Sequence, residues 1–156
     1  MSDEAKPSIR RGNEVRQGKT EGRGEDIIIA NDLLAPVVGQ SLVQFLMGYG
    51  VHLELGYDFE VTIETALTVA DGDGRWIGEP LTGEAAGALL PLNSRDVTSV
   101  KVDRDGTLNL GLGEATLSVP PHPMYEAWQV RGPRGMLIVC SPGGDYVAVW
   151  EPKSES

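Results

Sequence analysis

A single cysteine, Cys140, stands in this chain of 156 residues, so no intrachain disulfide can form and the fold must be held by its core. Only two histidines occur, His52 and His122, and neither they nor Cys140 fall into a paired ligand spacing. A zinc site is therefore not expected, and no metal or cofactor is assigned. No apolar run exceeds five residues ("MLIVC", 136–140), far short of the roughly 18 that a membrane helix needs. The opening "MSDEAKPSIRRGNEV" lacks an apolar stretch, so no secretory signal is expected and a cytoplasmic location is the default.

Positive charge is scarce as well. The chain holds 13 Lys and Arg against 23 Asp and Glu, a net charge of −10. Residues 1–26 carry six of each sign, so the whole excess lies in residues 27–156. A field of that sign repels phosphates and attracts basic partners, which argues against nucleic-acid binding and for a basic protein as partner.

Catalytic signatures are also missing. Gly-x-Ser-x-Gly is absent, and Cys140 ends an apolar run, where a thiol is usually buried and inert. "GLGEA" (111–115) follows a strand pattern without opening a helix, which does not make a dinucleotide fingerprint. Asp103, Asp105 and Glu114 stand at positions 1, 3 and 12 of a calcium-loop pattern, but Leu108 occupies the position that needs glycine. Asp-Gly between alternating runs, here and in "DGDGRW" (71–76), signals a hairpin turn instead. No catalytic residue is assigned.

What is present is period-two alternation. "VHLELG" puts Val51, Leu53 and Leu55 on one face, and "FEVTIE" does the same with Phe59, Val61 and Ile63. "VKV", "LNLGL" and "ATLSV" repeat the pattern, which is that of antiparallel strands buried on one face. The chain is expected to be mainly β, an antiparallel sandwich or open barrel of eight or nine strands with one short helix. Residues 1–26 are expected to form a disordered tail, 27–152 the domain and 153–156 a second short tail; residues 1–25 contain no Leu, Phe, Trp or Tyr. "EPLTGEAAGALLPL" (79–92) is the helix candidate, capped by Thr82 and stopped by Pro91, and a shorter turn is possible over 31–38. Residues 43–63 also align with 100–119. Val43 then lies over Val100, Phe45 over Val102, Val51 over Leu108, Leu53 over Leu110, Leu55 over Leu112 and Gly56 over Gly113, with one gap at Asp58. Two similar three-stranded meanders would produce this match.

The stretch from Pro123 to Trp150 holds two of the three tryptophans. Its turns "GPRG" and "SPGGD" separate three strand patterns, a further meander in which Trp128 and Trp150 read as core or edge-sealing residues. Tyr125, Glu126, Ala127 and Trp128, then Gly132 and Pro133, then Pro142, Gly143 and Gly144, and finally Val149 and Trp150 resemble the signature of a family of small, uncharacterised bacterial proteins. The resemblance extends over roughly residues 38–150. It implies no activity or site residue, only a loose association with immunity partners of bacterial toxins.

The leading expectation is a non-catalytic protein-binding module with an acidic surface, such as a toxin-neutralising immunity protein. Glu54, Glu60 and Glu64 would supply the charge, and Tyr57, Tyr125 and Glu126 the remaining contacts. One alternative is a small enzyme or ligand binder with a pocket near Tyr125, Glu126 and His122. Another is a homo-oligomeric structural protein joined through sheet edges.

Overall fold

The structure, a computed structural model, describes residues 20–154. Residues 1–19 of the expected tail lie outside the described residues. The described chain forms eleven strands, all paired antiparallel, in two sheets with two helices. The six-stranded sheet has the order β1 (Leu42–Met47), β2 (Val51–Leu55), β3 (Phe59–Ile63), β9 (Trp128–Arg131), β10 (Leu137–Cys140) and β11 (Val147–Trp150). The five-stranded sheet has the order β5 (Gly74–Gly78), β4 (Leu67–Asp71), β8 (Ala115–Val119), β7 (Leu108–Leu112) and β6 (Val97–Val102). The mainly β sandwich is the expected class. Its strand number exceeds eight or nine because β4 and β5 extend on either side of the Gly72–Asp73 turn.

Alternation in sequence becomes alternation in burial. Val51, Leu53 and Leu55 are buried while His52 and Glu54 are only half-buried, and β7 and β8 repeat this with Leu108, Leu110, Leu117 and Val119. The two inner faces make one continuous apolar core. β10 is buried on both faces over Ile138–Cys140, as its unbroken apolar run requires.

Helix α1 (Thr20–Leu34) begins inside the segment expected to be a tail. Ile27, Ala30 and Leu34 fall at helical spacing and are buried, so the last two turns gain enough apolar burial to be ordered. The helix packs on β11 and on the outer edge of β6. There the Asn31 amide donates to the Val102 carbonyl (3.0 Å) and accepts from its N–H (2.8 Å). Helix α2 (Gly83–Leu89) lies where the sequence indicated, with the Thr82 hydroxyl accepting from the Ala85 N–H at 3.0 Å. Pro91 falls in the 3-10 turn Leu90–Leu92 that ends it.

The two meanders are the same structure twice, and the repeat is longer than the strands. Each half runs from a helix into a 3-10 turn (Ala35–Val37 or Leu90–Leu92) and then a left-handed residue, Gly39 at φ 95° or Ser94 at φ 76°. A strand with an irregularity after its first residue follows, β1 or β6, and then the two further strands of the meander. The hydrogen bonds between the halves are reciprocal. Gly39 N–H donates to the Val97 carbonyl and Ser94 N–H to that of Leu42, both at 2.8 Å. Leu42 N–H donates to Arg95 and Val97 N–H to Gln40, at 2.9 and 2.7 Å. Such reciprocity is the pattern of a two-fold axis, passing here through the Ser41–Asp96 bridge.

This geometry corrects part of the sequence alignment. Leu42 pairs with Leu55 as Val97 pairs with Leu112, and Phe45 with Leu53 as Val100 with Leu110. Phe45 therefore corresponds to Val100 and Met47 to Val102, two residues away from the expected match. The cause is the β6–β7 connection, which is two residues longer than the β1–β2 connection. From Val51 and Leu108 onward the expected correspondence holds, including the gap at Asp58.

After each meander the chain crosses over. The strand following β3 is β4, which pairs with β8; the strand following β8 is β9, which pairs with β3. Each half thus donates its fourth strand to the other, so each sheet contains strands from both halves.

Candidate functional site

The β2–β3 hairpin sets the strongest cluster of the expected site residues. Leu55 and Phe59 close a three-residue turn, Gly56-Tyr57-Asp58, in which Gly56 takes φ 63°. A side chain at Gly56 would also strike the Gln40 amide. The turn leaves Tyr57 fully in solvent, at 99% exposure. One pair further along, Glu54 and Glu60 are direct cross-strand partners on the outer face of the six-stranded sheet. Like charges at such positions repel, so this pair is not a stabilising feature of the sheet. The neighbouring strands partly offset it. The Gln44 amide donates to a Glu54 carboxylate oxygen at 3.0 Å, Arg131 is the register partner of Glu60, and His52 Nδ1 lies 3.6 Å from Glu60.

Glu54, Glu60 and Arg131 border an open cleft of about 380 Å³, whose lining also includes Val43, Tyr57 and Asp58. A second open cleft of about 360 Å³ lies on the other side of Asp58 and Phe59, against Leu33, Arg134 and Met136. Asp58, Gln44 and Arg131 were missed by sequence reasoning. Their contribution depends on which residues face one another across strands, and Arg131 is brought to Glu60 only by the crossover of β9.

The remaining expected residues lie at the other end of β3. Glu64 follows the strand, and its N–H donates to the Ala127 carbonyl at 2.9 Å, beside Glu126. Tyr125 is 63% exposed and packs its ring against His122, with centroids 5.0 Å apart. Burial, with the charges of Glu126 and Asp145, raises the pKa of Tyr146 above its usual value. Neither of the two clefts includes Tyr125, Glu126 or His122. The expected site residues thus form two groups, Glu54, Glu60 and Tyr57 in one and Glu64, Tyr125 and Glu126 in the other.

The tryptophans divide too. Trp128 is 1% exposed and its indole N–H donates to the Gly106 carbonyl at 2.9 Å, whereas Trp150, at the end of β11, is half-buried. Asp103 and Asp105 are engaged within the β6–β7 turn, accepting from the Asn109 amide and the Thr107 N–H at 2.9 Å each. Among the described residues no three His, Cys, Asp or Glu side chains are grouped to hold a metal ion, and no helix is long and apolar enough to cross a membrane.

Fold and surface together define a two-sheet sandwich of exchanged halves, with an acidic hairpin on its outer face. The chain belongs to the family of unknown function DUF6188, whose model matches residues 33–151, from the last turn of α1 to the residue after β11. Comparisons with curated proteins and with solved structures gave no match.

Proposed function

We propose that the chain is a non-catalytic protein-binding module that meets a basic partner at the β2–β3 hairpin, as an immunity protein meets the toxin it neutralises. The observation that carries this reading is the cross-strand pair Glu54–Glu60, held beside Asp58 and the exposed Tyr57 at an open cleft. Two carboxylates placed side by side weaken a sheet, and because Arg131 and Gln44 offset this only in part, a cationic group from a partner would be favoured there. An aromatic ring in solvent beside them is the kind of side chain that anchors an interface. The charge of −10 would speed the encounter with a basic protein.

The test is a comparative capture at low salt. The full chain should retain a basic protein in near-equal amount and release it as salt rises. The double variant Glu54→Gln/Glu60→Gln, which opposes no like charges to each other or to Arg131, should slow association by about threefold or more, consistent with electrostatic steering, with unfolding not impaired. Neutralisation at Glu64, at the far end of β3, should have the smaller effect. Equal capture by wild type and double variant would refute the reading.

A further inference from the structure

We propose that β1 is an interface at which two copies of this chain join their six-stranded sheets, strand β1 pairing antiparallel with its counterpart. The proposal does not rest on the charge of the acidic cleft, with which the edge shares only Val43, but on comparing two edges that the repeat makes equivalent. At β6 the edge is sealed. Asn31 of α1 occupies both the N–H and the carbonyl of Val102, Val102 is 1% exposed, and Lys101 adds the charge that commonly blocks edge pairing. At β1 each of these devices is missing. Met47, in the place of Val102, is 40% exposed, and Leu46, in the place of Lys101, is 48% exposed. Helix α2 is seven residues long and carries Ala86 where α1 carries Asn31, so it has no side chain to satisfy the β1 backbone. Among the described residues β1 pairs only with β2, apart from the bonds that Leu42 makes to the loop before β6.

Charge selects the occupant. From Leu33 to Leu53 there is no Asp, Glu, Lys or Arg, in a chain that averages nearly one in four. β1 itself offers a basic strand no carboxylate, and the nearest, Glu54 of β2, is already engaged by the Gln44 amide. Two copies each carrying −10 repel one another over most of their surface, and an uncharged edge is where they can approach. A two-fold pairing sets Val, Gln, Phe, Leu and Met against the same residues, with no like charges opposed. Val43 and Tyr49, at 48% and 93% exposure, add apolar surface at the two ends of the strand.

The experiment is sedimentation equilibrium of the full chain over a wide range of concentration, with hydrogen exchange read on β1. The mass should rise from 16.7 kDa toward twice that value, and the amides of β1 should gain protection as it does. Added salt should strengthen the dimer or leave it unchanged, because it screens the repulsion between copies. Leu46→Lys, which gives β1 the residue that β6 carries, should weaken the dimer by about tenfold or more while the monomer keeps its unfolding midpoint. If that variant fails to fold, the concentration dependence of β1 protection in the wild-type chain decides. A chain that stays monomeric at every concentration overturns the proposal and leaves the edge to a strand from a different protein. So does a dimer in which β1 gains no protection, or one that Leu46→Lys does not weaken.

Discussion

Residues 34–63 and 89–119 follow the same path through a 3-10 turn, a left-handed residue, an irregular edge strand and a meander, yet they differ at several outer positions. Leu46 in one half is Lys101 in the other, Gln40 is Arg95, and Gly39 is Ser94. The inward positions instead keep their character: Val51 and Leu108, Leu53 and Leu110, and Leu55 and Leu112 are all buried. A core shared by two halves constrains both alike, because each half packs against the other and a change in volume is felt on both sides. The rims carry no such constraint. One has become a sealed edge and the other an open one, and the acidic pair Glu54–Glu60 has no counterpart at Gly111 and Thr116.

The largest way to break the correspondence is at Trp128. It and Leu67 hold equivalent places, each beginning an exchanged strand and each 1% exposed. Only Trp128 reaches the longer β6–β7 turn, where its N–H donates to the Gly106 carbonyl. Trp128→Ala should lower the unfolding free energy by about 3–5 kcal/mol, from the cavity and the lost indole together. Trp128→Phe separates the two effects. It keeps an apolar ring but removes a donor to a buried carbonyl, and should cost about 1–3 kcal/mol in denaturant unfolding. A loss near zero for the Phe variant would mean that Cys140, whose Sγ lies 3.6 Å from the same carbonyl, is donor enough.

A sharper comparison exchanges Gly39 and Ser94. Both take positive φ, and a Cβ at Gly39 would meet nothing within 4 Å, so the penalty there is conformational and not steric. Gly39→Ser should destabilise and Ser94→Gly stabilise, each by about 0.5–1 kcal/mol once the greater freedom of glycine in the unfolded chain is counted. Thermal unfolding of the two single variants and of the double exchange tests this. Effects of the same sign would show that the two turns are not interchangeable.

The β-rich class and the repeat were legible because burial on one face imposes a period of two, and because Gly56 and Gly113 mark the same turn. α1 was not, since Gly22, Gly24 and the acids before Ile27 mask its short apolar stripe. The register of β1 was misread because "SLVQFLM" and "DVTSVKV" each carry apolar residues on both alternations, so a slip of two keeps the pattern intact. Of the candidate site, the acids and Tyr57 could be named from sequence. Their division into two ends of a strand could not, because it depends on the crossover that places β9 beside β3.

The smallest effect expected concerns Arg95, which sits where the first half has Gln40. Its two terminal nitrogens donate to the two oxygens of Asp71 at 3.0 and 3.1 Å, and this pairing raises the Arg95 pKa further. Asp71 ends β4, the strand that the first half lends to the second, so the ion pair ties the exchanged strand to the half that receives it. In the other half the position of Asp71 is taken by Gly132, where a Cβ would press on Met136 and Phe59 and no carboxylate fits. Arg95→Gln therefore gives the second half the glutamine of the first while leaving the Asp71 carboxylate without its cation. Both side chains are about one-third exposed, so water screens the pair and the loss should be the smallest of those predicted here. It should shrink further as salt is added, which a series of denaturant midpoints at rising ionic strength would reveal. A larger, salt-independent loss would mean that Arg95 acts through the packing of its stem on Gly113, the contact that Gln40 makes with Gly56.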